Sequence, residues 1–458
     1  MSGVIGASLA ALERSLKGAK HVGVRFKQAL MALVALFIGL FLAFLLAEVI
    51  LRIFPVHGAY FRIPNKPNDA VGFTRFPGEK TSFRTSCYET PGIEFNSAGF
   101  RSREWPELGT PCIAVLGDSF MEALEVPSEV TTANILEKLT AIPVLNTGVS
   151  SYGTVTQLFV YKTILARYKP KVVILFFLVE NDIKDNSCLL TKLYGESIMQ
   201  PCGEISGGKV HWRTSYDKAG PRDTSILRAL IRRSCLTCLL SYRLFKYDVV
   251  NRARHGELDF LFNSYRHDPP ELYKKAWEDG WAITKEAILE LNREVQSHGG
   301  KLLIVAIPSS YAVVHDWKKV FRESTHLDHV PEDFDPLMGE KRLERLGTEN
   351  HIAVLNLVPA FLEYRDSQGL KDPYLWYSCD GHWNPVGHFL VANVVARALI
   401  ERDLLPMTPE KKAALLGKIR KDLTLSPQQV LGTEGYREVY EKGYYRGASN
   451  IPKILAEQ

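Results

Sequence analysis

Four short clusters of polar residues each follow an apolar run of the chain, and together they hold the groups that acyl transfer requires. Such a reaction needs a nucleophile, a base that takes its proton, a group that orients the base, and donors for the developing oxyanion. Ser119, in Gly117-Asp118-Ser119, is predicted to be the nucleophile. His382 is predicted to take its proton, and Asp380, two residues earlier, to hold the imidazole ring.

Three groups are expected to donate hydrogen bonds to the oxyanion: the backbone N–H of Ser119, the backbone N–H of Gly148 and the side-chain amide of Asn181. Glycine at position 148 is expected because a side chain there would keep the backbone away from the substrate.

Other polar residues near these clusters are weaker candidates. Ser150 lies in a Gly-x-Ser sequence, but Tyr152 stands where a nucleophile elbow has its second glycine. His388 lies on a predicted helix and is expected to be packed rather than catalytic. Asp182 and Asp185 would suggest a metal only with further ligands, and the sequence shows none. No metal or cofactor is therefore predicted.

An alternation of strands and helices must position these residues. Strands are predicted at 113–116, 142–145, 172–178, 302–307 and 352–355, and helices at 128–140, 154–168, 271–297, 339–346 and 385–401. This alternation indicates an α/β fold with a mostly parallel sheet covered on both faces. In such a sheet the site forms at the carboxyl ends of the strands, where all four clusters fall.

Taken together, the four clusters resemble those of the SGNH (GDSL-like) hydrolases. The family has a Ser in a GDS motif, a Gly after the second strand, an Asn in a GxND motif and a late His preceded by an Asp. These correspond to Ser119, Gly148, Asn181 and the pair Asp380/His382, and the resemblance covers about residues 90–405. It implies a three-layer α/β/α sandwich of flavodoxin-like type and an esterase or O-acyltransferase activity.

Two departures from the family pattern bear on the substrate. Val179 stands where the third block usually has Gly, and the last block has one residue rather than two between Asp380 and His382. The shorter spacing, followed by Trp383, is more similar to the alginate-acetylation branch than to the lipases. Residues 96–101, Asn-Ser-Ala-Gly-Phe-Arg, are similar to the lead-in of the membrane-anchored branch.

The N-terminus predicts a membrane anchor. Residues 1–28 carry five basic residues and one acid, a net charge of +4, and residues 29–47 carry no charge. Nineteen helical residues span about 28 Å, close to the thickness of the hydrocarbon core of a bilayer. The positive-inside rule places the N-terminus in the cytoplasm. The run is longer than a signal-peptide core, so an uncleaved anchor is predicted rather than a cleaved signal.

The predicted organisation is a cytoplasmic tail (1–28), a transmembrane anchor (29–54), a hydrolase-like domain (55–406) with an insertion at about 186–270, and a C-terminal appendage (407–458). All seven cysteines lie beyond the anchor, and Cys188–Cys202 is the easiest loop to close. The pair Cys235 and Cys238 has redox spacing, but it is interpreted as packing.

The sequence thus predicts a single-pass membrane protein of the bacterial inner membrane with its catalytic domain on the periplasmic side. It would hydrolyse or transfer an acyl group, most simply acetyl, on an acylated carbohydrate of the cell envelope or an exported polysaccharide. A membrane partner in a polysaccharide-modification system is a further expectation. The body of the protein after residue 28 is close to neutral, at about +1, so nucleic-acid binding is not predicted. The alternative is a catalytically silent carbohydrate-binding or scaffold protein on the same fold.

Overall fold

The structure is a computed structural model. It describes residues 28, 30–51, 63–84, 88–179, 181–194, 196, 198–214, 234, 236–237, 239–240, 271–319, 322, 335–370, 375–377 and 381–433. Asp380, the cysteines at 235 and 238 and most of the predicted insertion lie outside these residues.

Within the described residues, one apolar helix and two small hairpins precede the central sheet. Helix α1 (Leu30–Leu51) has 22 residues, a mean hydropathy of 2.9 and no burial inside the protein, so it is long and apolar enough to cross a membrane. Two antiparallel hairpins follow, β1 (Lys66–Asn68) with β2 (Gly72–Thr74) and β3 (Lys80–Arg84) with β4 (Glu89–Glu94). This agrees with the loops and short strands expected of a stretch rich in Pro and Gly.

A five-stranded parallel sheet lies at the centre of the protein. The remaining strands are β5 (Ile113–Leu116), β6 (Val144–Asn146), β7 (Val172–Leu178), β8 (Cys202–Ser206), β9 (Lys209–Arg213), β10 (Lys301–Ile307) and β11 (Ala353–Asn356). The order in the sheet is β11-β10-β7-β5-β6, every neighbouring pair is parallel, and β8 and β9 form a separate hairpin. Because all five strands run the same way, the segments that follow them emerge at one edge.

Helices cover the sheet. They are α2 (Ser119–Glu122), α3 (Thr132–Thr140), α4 (Thr154–Val160), α5 (Asp182–Asn186), α6 (Cys188–Leu193), α7 (Glu271–Ser297), α8 (Met338–Asn350), α9 (Val358–Ser367), α10 (Pro385–Glu401), α11 (Pro409–Asp422) and α12 (Pro427–Gly432). A π turn and a 3₁₀ turn extend α4 to Tyr168.

The alternation of side chains along the strands divides the core into two layers. In β5, Ile113 and Val115 pack with α3, α9 and α10, whereas Ala114 and Leu116 pack with α4, α7 and α8 on the other face. All seven side chains of β7 are buried, as expected of a central parallel strand. The predicted fold class, a three-layer α/β/α sandwich, is therefore confirmed.

The elements differ from the sequence prediction mainly at their ends. Strand β6 begins two residues later than expected, and α8 extends to Asn350. Helix α9 was not expected, because its apolar residues do not follow a helical stripe. Residues 407–433, predicted as part of an appendage, form α11 and α12, and these pack on the α10 layer through Ile419 and Val430.

Candidate active site

Ser119 lies where strand β5 passes into helix α2. Asp118 is the N-cap of α2, and its Oδ1 accepts a hydrogen bond from the Phe120 N–H at 2.9 Å. As the first residue of the helix, Ser119 has a backbone N–H that no carbonyl of the helix can accept. Ser119 is half-buried while both of its neighbours are buried, so its side chain stands at the surface of the site.

His382 is held by a turn immediately before helix α10. Its carbonyl accepts the Tyr377 N–H at 2.8 Å. The backbones of Trp376 and Trp383 form an isolated antiparallel β-bridge. Gly381 has a φ of +80°, a left-handed conformation that explains glycine between the two predicted triad residues. Asn384 caps α10 by accepting two backbone N–H bonds.

The structure brings Ser119 and His382 together. His382 Nε2 lies 2.9 Å from Ser119 Oγ, although the two residues are 263 positions apart in the chain. The imidazole ring also packs on Phe120, with 5.0 Å between ring centroids. This is the distance at which a histidine can take a proton from a serine hydroxyl. Asp380, the predicted orienting group, lies outside the described residues.

Asn181 is placed after strand β7, beside the Asp118 carboxyl. Burial raises the pKa of Asp118 to about 6, and the Phe120 N–H, His382 and the Asn181 side chain oppose the rise. Burial also raises the pKa of Asp182 well above its ordinary value, and the nearby carboxyls of Asp118 and Asp185 add to the effect. Asn181, the predicted oxyanion donor, is half-buried and lies beside the residue that precedes Ser119.

Gly148 follows strand β6 and packs closely on helix α2. A Cβ at Gly148 would lie 2.4 Å from Met121 Cβ and 2.7 Å from the Glu122 nitrogen. Glycine is thus required here by packing against α2. The expectation that it also lets the backbone approach the substrate stays a prediction. The Gly148 N–H donates to Asn146 Oδ1 at 3.1 Å, so an oxyanion would have to share it with that side chain.

A buried ion pair joins helix α2 to Arg75, and the same carboxylate also binds the Gly148 loop. Glu122, which is 0% exposed, accepts hydrogen bonds from Arg75 Nε at 2.6 Å and Nη2 at 2.9 Å. The same carboxylate accepts the N–H of Ser150 at 2.8 Å and its hydroxyl. The rival serine therefore donates to Glu122. No sequence pattern distinguished Glu122 from a surface glutamate.

The segment 96–101 supports the end of helix α2. Asn96 Oδ1 accepts the N–H groups of Ala98 and Phe100, and Gly99 has a φ of +81°, so the segment forms a tight turn. The turn directs the buried Arg101 guanidinium at the carbonyls that end α2. It donates to Glu122 O at 3.1 Å, to Ala123 O and to Val126 O at 2.6 Å.

His388 and Trp383 are structural. His388 is 0% exposed; its Nε2 lies 2.9 Å from Glu125 Oε1 and its Nδ1 2.8 Å from Thr132 Oγ1. Its prediction as a packed residue is confirmed. Trp383, which the alginate-acetylation likeness singled out, is fully buried and packs edge-on to Phe120 at 4.7 Å. It therefore supports the site indirectly, through its contact with Phe120.

Within the described part of the chain, no three His, Cys, Asp or Glu side chains cluster as metal ligands would.

No family model and no curated protein matches the chain. Solved structures do match it, at low similarity. A TesA structure shares 12% identity over 64% of this chain and 99% of its own, with a TM-score of 0.32. An acetyl xylan esterase, AlAXEase, shares 13% identity over 63% of this chain and 98% of its own, with a TM-score of 0.32. A putative lipolytic protein of the G-D-S-L family from Desulfitobacterium hafniense shares 11% identity over 63% of this chain and 100% of its own, with a TM-score of 0.29.

Proposed function

We propose that the protein is a serine-nucleophile acyl-ester hydrolase or O-acyltransferase. The observation that carries the proposal is the 2.9 Å contact between Ser119 Oγ and His382 Nε2, at the carboxyl edge of a parallel sheet. A silent binding protein has no need of a serine hydroxyl paired with an imidazole.

In the proposed reaction, Ser119 Oγ attacks the acyl carbonyl and its proton passes to His382 Nε2. The carbonyl oxygen becomes an oxyanion, which the Ser119 N–H and the Asn181 amide would stabilise, with Gly148 as a shared donor. His382 then gives its proton to the departing alkoxide. The acyl group stays on Ser119 Oγ as an acyl-serine. Water then releases the acid, or a sugar hydroxyl takes the acyl group, with His382 again as the base. Asp380 is proposed to orient the imidazole.

A fluorophosphonate probe on the detergent-solubilised full-length protein tests this proposal. Labelling is expected at Ser119, should be abolished by Ser119→Ala and should be slowed strongly by His382→Ala. Asp380→Asn should give an intermediate rate, because it affects the orientation of the base. Ser150→Ala is the matched control and should label like the wild type. Labelling at Ser150, or labelling indifferent to His382, would disprove the assignment. A folded protein that never labels, even with a small probe, would favour the binding-protein alternative.

The proposed substrate is a short acyl ester, acetyl in the first instance, on an envelope or exported polysaccharide. This proposal rests on the likeness of residues 380–383 to the alginate-acetylation branch. Hydrolysis of a series of chromogenic esters should be fastest for acetyl and fall with chain length. Adding an acceptor oligosaccharide distinguishes the two activities, because only a transferase would pass the acyl group to it. A membrane partner that supplies the acyl donor is part of the proposal for the transferase.

The proposed location is the inner membrane, with the N-terminus in the cytoplasm and the catalytic domain in the periplasm. The exposed apolar helix α1 supports an anchor or a signal sequence, and the Cys188–Cys202 disulfide is typical of an oxidising compartment. An alkaline phosphatase fusion after residue 60 should be active. The mass of the mature protein then distinguishes a retained anchor from a cleaved signal, because cleavage would remove α1.

A further inference from the structure

The end of strand β7 contacts helix α8 through a valine and a glycine. Val179 directly follows β7, is 0% exposed, and precedes Asn181 by two residues. Gly339 is the second residue of α8. The three atoms nearest to a Cβ added at Gly339 would all belong to Val179: Cγ1 at 2.0 Å, Cβ at 2.9 Å and Cγ2 at 2.9 Å. The valine side chain therefore fills a notch in α8 that a larger residue than glycine would close.

Glycine at 339 serves this contact rather than the backbone of the helix. Gly339 has the ordinary negative φ of a helical residue, and glycine is one of the poorest helix formers. On the other side of the contact, Val179 is β-branched and therefore stiff at χ1, so a notch that holds its side chain also holds its backbone. Val179 stands where the third block usually has Gly, so here the glycine lies on the opposite partner.

Helix α8 is the more firmly held of the two partners. Its Met338 and Leu343 are buried in the core. The turn after β7 is closed by hydrogen bonds at the long end of the usual range: the Asn181 N–H donates to Leu178 O at 3.3 Å, and the Leu178 N–H donates to Asp182 Oδ2 at 3.2 Å. A steric change in the notch would therefore move the turn rather than the helix.

We propose that Val179 is a positioning residue for Asn181: seated in the Gly339 notch, it fixes the turn that directs the Asn181 amide at the oxyanion. The inference rests on the proposed function of Asn181 as a donor. Asn181 is the N-cap residue of α5, but its side chain makes no capping hydrogen bond. The direction of the amide is therefore set by the turn and by the Asp118 carboxyl beside it. Val179 is buried and acts through Asn181.

Turnover of an acetyl ester by the detergent-solubilised full-length protein tests the proposal. Gly339→Ala would place a Cβ 2.0 Å from Val179 Cγ1, so the valine must move by about 1 Å or more, and a misplacement of about 1 Å can cost about 10²-fold in rate. The loss should appear in kcat with little change in KM, because an oxyanion donor acts in the transition state.

Gly347→Ala is the matched control on the same helix. Its Cβ would lie 2.4 Å from Val354 Cγ2, so it overpacks α8 as well, but against strand β11 at the edge of the sheet. It should lower the stability of the fold and leave kcat unchanged.

Two combinations separate positioning from a loss of stability. If Gly339→Ala acts through Asn181, adding Asn181→Ala should cost far less than it does in the wild type, whereas independent effects would multiply. The exchange of Val179→Gly with Gly339→Ala removes the clashing side chain and should recover most of the lost turnover. If Gly339→Ala does not fold, Val179→Ala replaces it, because it empties the notch without adding an atom. It should lower kcat several-fold and show the same coupling to Asn181.

The outcomes distinguish this inference from the proposed function. Wild-type kcat in Gly339→Ala or in Val179→Ala, or losses that multiply with Asn181→Ala, would overturn the positioning role and leave the proposed site intact. An equal loss of kcat in Gly347→Ala would assign the effect to stability and would also overturn it. Full turnover of Asn181→Ala would refute the donor itself, and the inference with it.

Discussion

At the scale of single residues, the proposed role of Asn181 is the one that a substitution tests most directly. Its amide is the one proposed oxyanion donor that a substitution can remove without changing the backbone. Asn181→Ala should lower turnover of an acetyl ester by about 10²–10³-fold, the usual effect of losing one donor. Asn350→Ala, which removes a donor to Leu346 O at the end of α8, should leave turnover unchanged. Full activity of Asn181→Ala would remove Asn181 from the site.

Glu340, in the first turn of α8, should make stability depend on pH. Its side chain is 0% exposed, and burial raises its pKa to about 7, although its own N–H and that of Ser309 oppose the rise. A raised carboxyl pKa contributes stability at low pH, and this stability is lost as the pH rises from about 4.5 to about 7.

Glu340→Gln cannot ionise and should avoid that loss. Its free energy of unfolding relative to the wild type should therefore increase between pH 4.5 and 7, by about 3 kcal/mol, and stay constant above. Urea titrations across this range measure the difference. Glu349→Gln, at an exposed position on the same helix, is the control. A difference independent of pH would contradict the burial of a titrating carboxyl at 340.

Ser119 and His382 could be predicted from the sequence because each carries a local signal: Gly-Asp-Ser after an apolar strand, and a histidine just before a Pro-capped helix. Glu122 and Arg75 could not. A buried ion pair has the same residue types as a surface pair, and only the fold determines whether water reaches it. The close packing that requires glycine at 148 could not be predicted either, because it depends on contact with Met121 from another segment.

At the scale of elements, the contact between the Gly148 loop and helix α2 sets the geometry of the site. Gly148→Ala would force its Cβ into Met121, and such overpacking usually costs about 1–3 kcal/mol. We expect lower stability and a large loss of esterase turnover, because the loop and Ser119 would separate. Gly417→Ala in α11 is the matched control, since nothing lies within 4 Å of its Cβ. It should leave turnover unchanged and stabilise the fold by up to about 1 kcal/mol.

The strands of the sheet were predictable because β5, β7 and β10 are continuous apolar runs. The parallel orientation of the strands was also predictable, because a helix separates each pair of strands that follow one another in the sequence of the sheet. The four-residue helix α2 was not, because a single turn has no periodicity to detect. It forms because Asp118 caps one end and Arg101 binds the carbonyls at the other.

At the scale of the whole molecule, one disulfide fastens the start of the insertion. Cys188 in α6 and Cys202 in β8 close a loop over a sequence separation of 14. Closing a loop of about 15 residues stabilises a fold by about 3 kcal/mol through the unfolded chain. Cys188→Ala with Cys202→Ala should lower the free energy of unfolding by about that amount. Reductant should lower the stability of the wild type and leave that of the double variant unchanged. Equal stability of both proteins, with and without reductant, would show that the disulfide does not form.

The two arginines that bind helix α2 and its end come from before the parallel sheet. Arg75 follows β2 and Arg101 ends the lead-in turn, whereas the parallel sheet starts only at Ile113. A fragment that contains only the sheet and its helices would keep Ser119 and His382. It would lack Arg75, so the buried Glu122 carboxylate would have no counter-ion. Losing one partner of a buried pair usually costs about 3–5 kcal/mol. The smallest fragment that keeps this ion pair must therefore begin ahead of Arg75, between helix α1 and the parallel sheet.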